Sequence, residues 1–394
     1  MTRLEKLKRN PRLLFWIQAC AWFNVLNAVV ALFFLYRGVG VDEIFYLPVA
    51  FSIGTLLFEV PSGYLADRIG RKSVIIIGLF AQILAFVIFF GAYGFIDFAI
   101  ATFLMALSTA CFSGTSEALL YDSLAETGDQ ASVTHHASRI GAARHMGKVF
   151  VPAVAVLFVN SFIEWRFDVL IAVNVAVVTI ALFITWFLVE PHHKRSLTKS
   201  ESMRYLDTFK TIRTHPFLLR AAMNSSLVFI ASYIAFRAYQ PFLNSVGVSI
   251  VMLSVFYMGI HGISFWAKWH MGKILARIPL IRLLHTSSIL LVATGVLASI
   301  FHQPAIAFGS ILAFIILTNI REPLFTEAMN RRIKSHQRAT TLSNLYVLKA
   351  FIDIPVFLLV GWLALKDLQY PFWVALALVA IVAVLFPIRE SDLR

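Results

Sequence analysis

Gly63-Tyr64-Leu65-Ala66-Asp67-Arg68-Ile69-Gly70-Arg71-Lys72 is an island of glycine and charge between two long apolar runs, near 44–66 and 73–94. Each run is long enough to cross a bilayer, which takes about 20 apolar residues. The island therefore reads as a short loop joining two membrane helices. Gly63 and Gly70 suit a tight turn and close helix approach. Arg68, Arg71 and Lys72 suit a surface facing anionic lipid. Asp67, an acid beside three cations, needs a specific reason to be there.

The rest of the chain agrees. Of 394 residues, 59% are hydrophobic and only 14% charged, against about 45–50% and 25% in soluble domains. Mean hydropathy is +0.79. Twelve helices of about 20 residues would use roughly 240 positions and leave short loops. This composition excludes a globular enzyme, a nucleic-acid binder and a disordered tail. Apolar runs fall near 13–36, 44–66, 73–94, 97–121, 137–160 and 165–189, then, after a polar stretch, near 216–243, 250–272, 279–301, 304–328, 338–364 and 370–388. These are numbered spans 1 to 12. The first is too long for a signal-peptide core and has no cleavage site, so it reads as a retained helix.

Net charge is +13. Twenty-eight of the 34 Lys and Arg lie before span 1, after the even-numbered spans, near the start of span 5 or at the C-terminus, whereas the opposite loops hold only Arg37, Arg166 and Lys366. The positive-inside rule then puts both termini and the 190–215 linker in the cytoplasm, and no nucleic-acid partner is needed to explain the charge. Cys20 and Cys111 both fall in apolar runs and read as packed residues,.

The two halves echo each other. Glu117 and Asp122 end span 4 with the same spacing as Glu322 and Glu327 in span 10, 205 residues on. Lys148 with Phe150 and Pro152 in span 5 matches Lys349 with Phe351 and Pro355 in span 11. A weaker copy of the island, Gly272 to Pro279, follows span 8. Repeated halves joined by a linker mark secondary transporters. The expected organisation is residues 1–189, a linker at 190–215, and residues 216–394.

With this topology, the island from Gly63 to Lys72 resembles the signature loop of the major facilitator superfamily, and the resemblance covers the whole chain. It implies an all-α polytopic fold of twelve transmembrane helices, arranged as two pseudo-symmetric six-helix bundles around a central cavity. It also implies alternating access and a monomer. In that family the loop's Asp faces the start of span 11, and a loop Arg meets an acid at the end of span 4. Asp122 and Arg338 stand where such partners belong, so Gly63, Asp67, Arg68, Gly70, Arg71, Asp122 and Arg338 are expected to gate. Ala276 and Pro279 break the second copy, whose clasp should be weaker or absent. Span 5 departs from the family's drug–proton antiporters, because Gly147 to Ala153 lacks their glycine-rich run.

Ionisable residues inside spans are costly and mark function. The resemblance makes spans 1, 4, 7 and 10 the cavity lining, so Arg237 and Arg321 are the expected substrate-facing cations. Guanidinium presents fixed donors that grip carboxylate or phosphate. Gln18 and Trp22, with Phe15 on one face of span 1, are expected to join them; helix–helix polar contacts are the plainer reading of these. Arg144 and Lys148 complete the cations. Coupling candidates are Asp353 and Lys349, four residues apart on one helical face, with Glu59, Glu117, Glu322 and the titratable His261. Glu117, Asp122, Glu322 and Glu327 lie near their span ends and suit a gate or interface better than a substrate site.

No H-E-x-x-H, G-x-S-x-G or Walker loop is present, nor any metal-spaced Cys/His cluster,. No enzyme activity, cofactor or resident metal is expected. The expected function is secondary active transport of a small polar solute, anionic or zwitterionic, across a bacterial-type cytoplasmic membrane. Protons are the expected coupling ion and membrane lipids the surroundings. Efflux of lipophilic drugs by proton antiport is the alternative, and a non-transporting sensor is the alternative of another class.

Overall fold

The computed structural model describes residues 2–129, 132–158, 164–192, 216–330 and 338–389. Of the linker only Glu190–His192 is described, and the side chains of Glu327 and Arg338 lie outside the described residues. Among the described residues, every span read from sequence coincides with helix, and eight helices are long and apolar enough to cross a membrane by themselves. The chain is an integral membrane protein.

It divides into two compact units, Met1–Gly40 with Leu47–Leu197 and Thr198–Arg394 with Val41–Tyr46, the N unit and the C unit. Each uses the same internal pairing. In the N unit span 3 packs on spans 4 and 6, and span 1 on spans 4, 5 and 6. In the C unit span 9 packs on spans 10 and 12, and span 7 on spans 10, 11 and 12. Lipid provides no hydrophobic force between helices, so close approach carries the packing. At Gly54 and Gly78 a Cβ would lie 2.7 Å from Ala106 and 2.8 Å from Cys111, both on span 4. Span 4 thus sits against spans 2 and 3 with no room for a side chain at either glycine.

Two spans that read as continuous are broken. Span 1 is a helix from Asn10–Ala21, a 3-10 turn at Val25–Ala28 and a second helix from Val30–Tyr36. Backbone groups freed inside a membrane must find partners in the protein. Asn24 Oδ1 accepts from Leu26 N, and the buried Asn174 of span 6 accepts from Val25 N and donates to Asn24 Oδ1. Gln82 of span 3 donates to Ala21 O at 2.7 Å. These amides are what let an apolar run, which by hydropathy alone would be one helix, come apart. Span 4 is interrupted at Ser113 and Gly114, the latter at φ +67°, between helices Gly94–Phe112 and Thr115–Glu126.

At the end of span 1, Arg37 is 1% exposed. It meets Asp168 at 3.1 Å and Glu164 at 3.4 Å, both on span 6, and the carbonyl of Phe90 on span 3. It is a structural clasp for that end of the N unit.

Candidate functional site

The signature loop turns at one glycine. Gly70 has φ +96° and lets the chain pass from span 2, Glu43–Ile69, into span 3, Arg71–Gly91. Gly63 lies inside the span 2 helix, exposed, with nothing among the described residues within 4 Å of an added Cβ. The turn expected at Gly63 falls instead at Gly70, because the helix continues to Ile69 before it breaks, and no close approach to Gly63 is seen among the described residues. Arg71 pairs with Asp122 and donates to Ala118 O at 2.6 Å, so the loop Arg does meet the acid of span 4. Asp67 and Arg68 are exposed.

A residue that sequence reading misses completes this cluster. The carboxylate of Glu190, at the start of the linker, accepts from Arg71 N and Lys72 N, both at 2.8 Å. It caps the first turn of span 3, where free N–H groups and the helix dipole favour an anion. Lys72 in turn donates to Trp186 O and Leu188 O at the end of span 6. Arg3 bonds Glu190 O and pairs with Glu126, which also accepts from His192 N. Nothing in the local sequence marks Glu190; its role comes from the folding together of spans 3 and 6. Replacing Glu190 with Ala is expected to cost about 0.5–2 kcal/mol, the usual range for a lost N-terminal cap. Gly70→Ala should cost about as much through its positive φ, and a denaturation series of both variants checks this.

The second group of residues joins spans 1, 4 and 5 of the N unit. Gln18 is 0% exposed. Its Oε1 accepts from Trp22 Nε1 at 2.8 Å and from Arg144 Nε at 3.0 Å, and its Nε2 donates to Ser116 Oγ at 3.0 Å. Arg144 and Lys148, one turn apart on span 5, lie 5.6 and 5.7 Å from the Trp22 ring. The expectation that Gln18 touches solute does not fit; burial places it behind Trp22 and Arg144, holding both. The four-residue spacing of Arg144 and Lys148 is the available signal that span 5, not span 1 alone, shapes this face.

The third group joins spans 7 and 11 of the C unit. Phe229, Tyr233 and Arg237 follow one another at four-residue steps on Pro216–Ser245, and Lys349, Asp353 and Phe357 do the same on Arg338–Ala364. Lys349 Nζ sits 3.8 Å from the Phe229 ring, and the Tyr233 and Phe357 rings meet edge to face at 5.5 Å. Lys349 and Asp353 form an ion pair at 3.4 Å. Arg237 Nη2 donates to Tyr233 OH at 2.7 Å, while its buried Nε has no acceptor among the described residues. The structure thus brings Arg237, Lys349 and Asp353 onto one pair of facing helices. The sequence pattern singles out these three residues but not the aromatic residues that join them.

Arg321 is elsewhere. It is 2% exposed, and its two Nη groups donate to Leu284 O, Ser287 Oγ, Ser288 Oγ and Asn224 Oδ1 at 2.7–3.1 Å. Its guanidinium lies over Phe325 at 5.3 Å. The expectation that Arg321 faces solute does not fit this placement: it points between spans 7, 9 and 10 inside its own unit, with its fork already filled. The remaining candidates scatter. Glu59, 8% exposed, accepts from Ser113 Oγ at the break of span 4. Glu117 is exposed on the first turn after that break. Glu322 pairs with Lys268 of span 8 at 2.7 Å. His261 is buried with its ring 4.3 Å from Tyr257.

The repeat is visible in these side-chain pairings. Gln18 with Ser116 corresponds to Asn224 with Arg321, and Trp22 beneath Lys148 to Phe229 beneath Lys349. Asn10 and Asn224 each donate to a carbonyl near the end of their unit's last span, Val189 O and Phe386 O.

The Major Facilitator Superfamily description matches residues 13–348. An uncharacterized MFS-type transporter, YfkF of Bacillus subtilis (strain 168), is 35% identical over 65 residues, a stretch that spans 16% of this chain and 17% of that protein. Among solved structures, the nucleoside transporter NupG superposes with a TM-score of 0.78 at 13% identity, covering 98% of this chain and all of that one. A D-xylose–proton symporter gives 0.73 at 14% identity, covering 98% of each chain. The human organic anion transporter MFSD10 gives 0.68 at 14% identity, covering 98% of this chain and 100% of that one. These structural likenesses show the fold.

Proposed function

Because the chain belongs to the major facilitator superfamily, whose members here are transporters and not enzymes, we propose that it carries a small solute with an anionic group by proton-coupled secondary transport. The observation that supports an anion is Arg237. A guanidinium inside a membrane span whose partner among the described residues is a neutral tyrosine hydroxyl, not an acid, is a costly group unless a ligand completes it,. Its planar fork suits a carboxylate or phosphate oxygen, and Tyr233 OH stands beside it as a second donor,. The organic anion transporter among its structural neighbours fits this reading, and the D-xylose–proton symporter fits proton coupling.

Asp353 is the proposed proton site. Its carboxylate faces Lys349 on its own span, while Arg237 and Tyr233 lie across on span 7; the helix of span 12, Tyr370–Leu385, carries no charged side chain. A proton on Asp353 dissolves the ion pair and leaves Lys349 as an uncompensated cation over Phe229, on the span that carries Arg237 two turns further along. Proton and anion binding then favour one another, which is the sign required for symport. The lysine and arginine distribution supports a cytoplasmic-membrane protein with both termini inside,.

A thermal-shift panel on purified protein at pH 6 and pH 8 tests the solute class. A ligand at 100 times its dissociation constant stabilises the fold by about 2.7 kcal/mol. Stabilisation by organic anions, stronger at pH 6 and weakened at least tenfold in affinity by Arg237→Ala, is the expected result. Stabilisation confined to lipophilic cations would replace this reading with drug efflux.

A further inference from the structure

We propose that spans 1 and 5 of the N unit form an oxyanion cradle of their own, with Arg144 as its ligand and Gln18 as the residue that positions it. The assignment rests on the anionic-solute reading above and extends it to a site in the other unit. Gln18 Oε1 accepts from both Trp22 Nε1 and Arg144 Nε, so the direction of its amide is fixed by two N–H donors. Its Nε2 is engaged by Ser116, and the side chain is fully buried, which leaves Gln18 no freedom to turn. Arg144 is therefore held by its Nε edge. Its Nη1 and Nη2 groups meet no acceptor among the described residues.

The neutral amide matters. A glutamate at position 18 would hold Arg144 as firmly but would cancel its charge. Glutamine orients the guanidinium and leaves the charge, and the bidentate end of the fork, for a ligand. Lys148, one turn further along span 5 and over the same Trp22 ring, adds a second positive charge to the same face. Arg321 of the C unit, on span 10, shows the opposite case: an amide, Asn224 of span 7, also accepts from it, but both Nη groups are already filled by Leu284 O, Ser287, Ser288 and Asn224. The fork of Arg321 is closed and structural; that of Arg144 is open. A carboxylate or a phosphate has the two oxygens the open fork requires.

Arginine labelling reads this site directly. The full-length protein in detergent is treated with phenylglyoxal, with and without sodium benzoate or phenyl phosphate, and modification of Arg144 and Arg237 is followed separately by peptide mass spectrometry. Arg144 is expected to react, and at least one of the two probes should slow its modification five-fold or more; which probe does so distinguishes carboxylate from phosphate. Gln18→Ala should raise the half-protecting concentration about tenfold, and Gln18→Glu should abolish protection. Protection of Arg237 alone overturns the cradle and leaves the anionic-solute reading standing. Protection of Arg144 alone supports the cradle and removes Arg237 as the solute's ligand, and protection of neither overturns both. An Arg144 that is inert without probe is not an open fork, which overturns the assignment. An unchanged half-protecting concentration in Gln18→Ala removes Gln18 from its positioning role.

Discussion

Arg321→Ala is expected to lower the stability of the protein by about 3 kcal/mol while changing anion affinity less than threefold. The substitution removes four charge-assisted hydrogen bonds to Leu284 O, Ser287, Ser288 and Asn224. Hydrogen bonds to a charged group are worth about 1.5–3 kcal/mol each when measured singly. Removing the cation also relieves the cost of burying it, so the net loss is far below the sum. What decides the sign is what remains. Ser287 and Ser288 can fall back on the carbonyl of Leu284, which they already approach. Asn224 Oδ1 and the space left by the guanidinium have no such recourse. Equilibrium unfolding in detergent measures the first effect and the thermal-shift panel the second. An Arg321 variant of unchanged stability that no longer binds anions would return this residue to the solute site.

Asp353→Asn is expected to abolish accumulation driven by a pH gradient while leaving solute exchange at equal concentrations. Asparagine copies the shape of the protonated acid and cannot lose the proton. Lys349 is then permanently released from its 3.4 Å partner and keeps its place over Phe229. The anion site stays in its high-affinity state on every cycle, with no step at which the proton gradient does work. Exchange requires no net proton movement and survives. Counterflow and gradient-driven uptake in proteoliposomes separate the two. Equal loss of both would make Asp353 a structural residue, and retention of both would place the coupling proton elsewhere.

The spans are legible in the sequence because lipid imposes one rule, long apolar stretches in helix, and the runs from Leu13 to Ile388 obey it. The pairing of Arg71 with Asp122 is legible through a motif. The breaks at Trp22–Val29 and Ser113–Gly114 are not, since the polar residues there, Asn24 and Asn27 in one and Ser113 to Glu117 in the other, fall within runs long enough to read as single helices. They exist because Asn174, Gln82 and Glu59, distant in sequence, supply partners for groups near each break. The orientation of cations is the other limit. Arg237, Arg321 and Arg144 are all arginines within spans, and periodicity says only which helix face each occupies. That Arg321 is enclosed while Arg144 and Arg237 keep open donors depends on Ser287, Ser288 and Gln18, which sequence spacing does not connect to them. Glu190 escapes notice for the same reason.

Uptake into proteoliposomes of the organic anion that best stabilises the protein, with acid outside, tests the central claim most directly. Wild-type protein should concentrate the anion only while the pH gradient lasts. Arg237→Ala, purified as a folded protein, should show neither accumulation nor counterflow above empty vesicles. Wild-type rates in Arg237→Ala, or accumulation that ignores the gradient, would contradict a proton-coupled anion transporter built around this arginine.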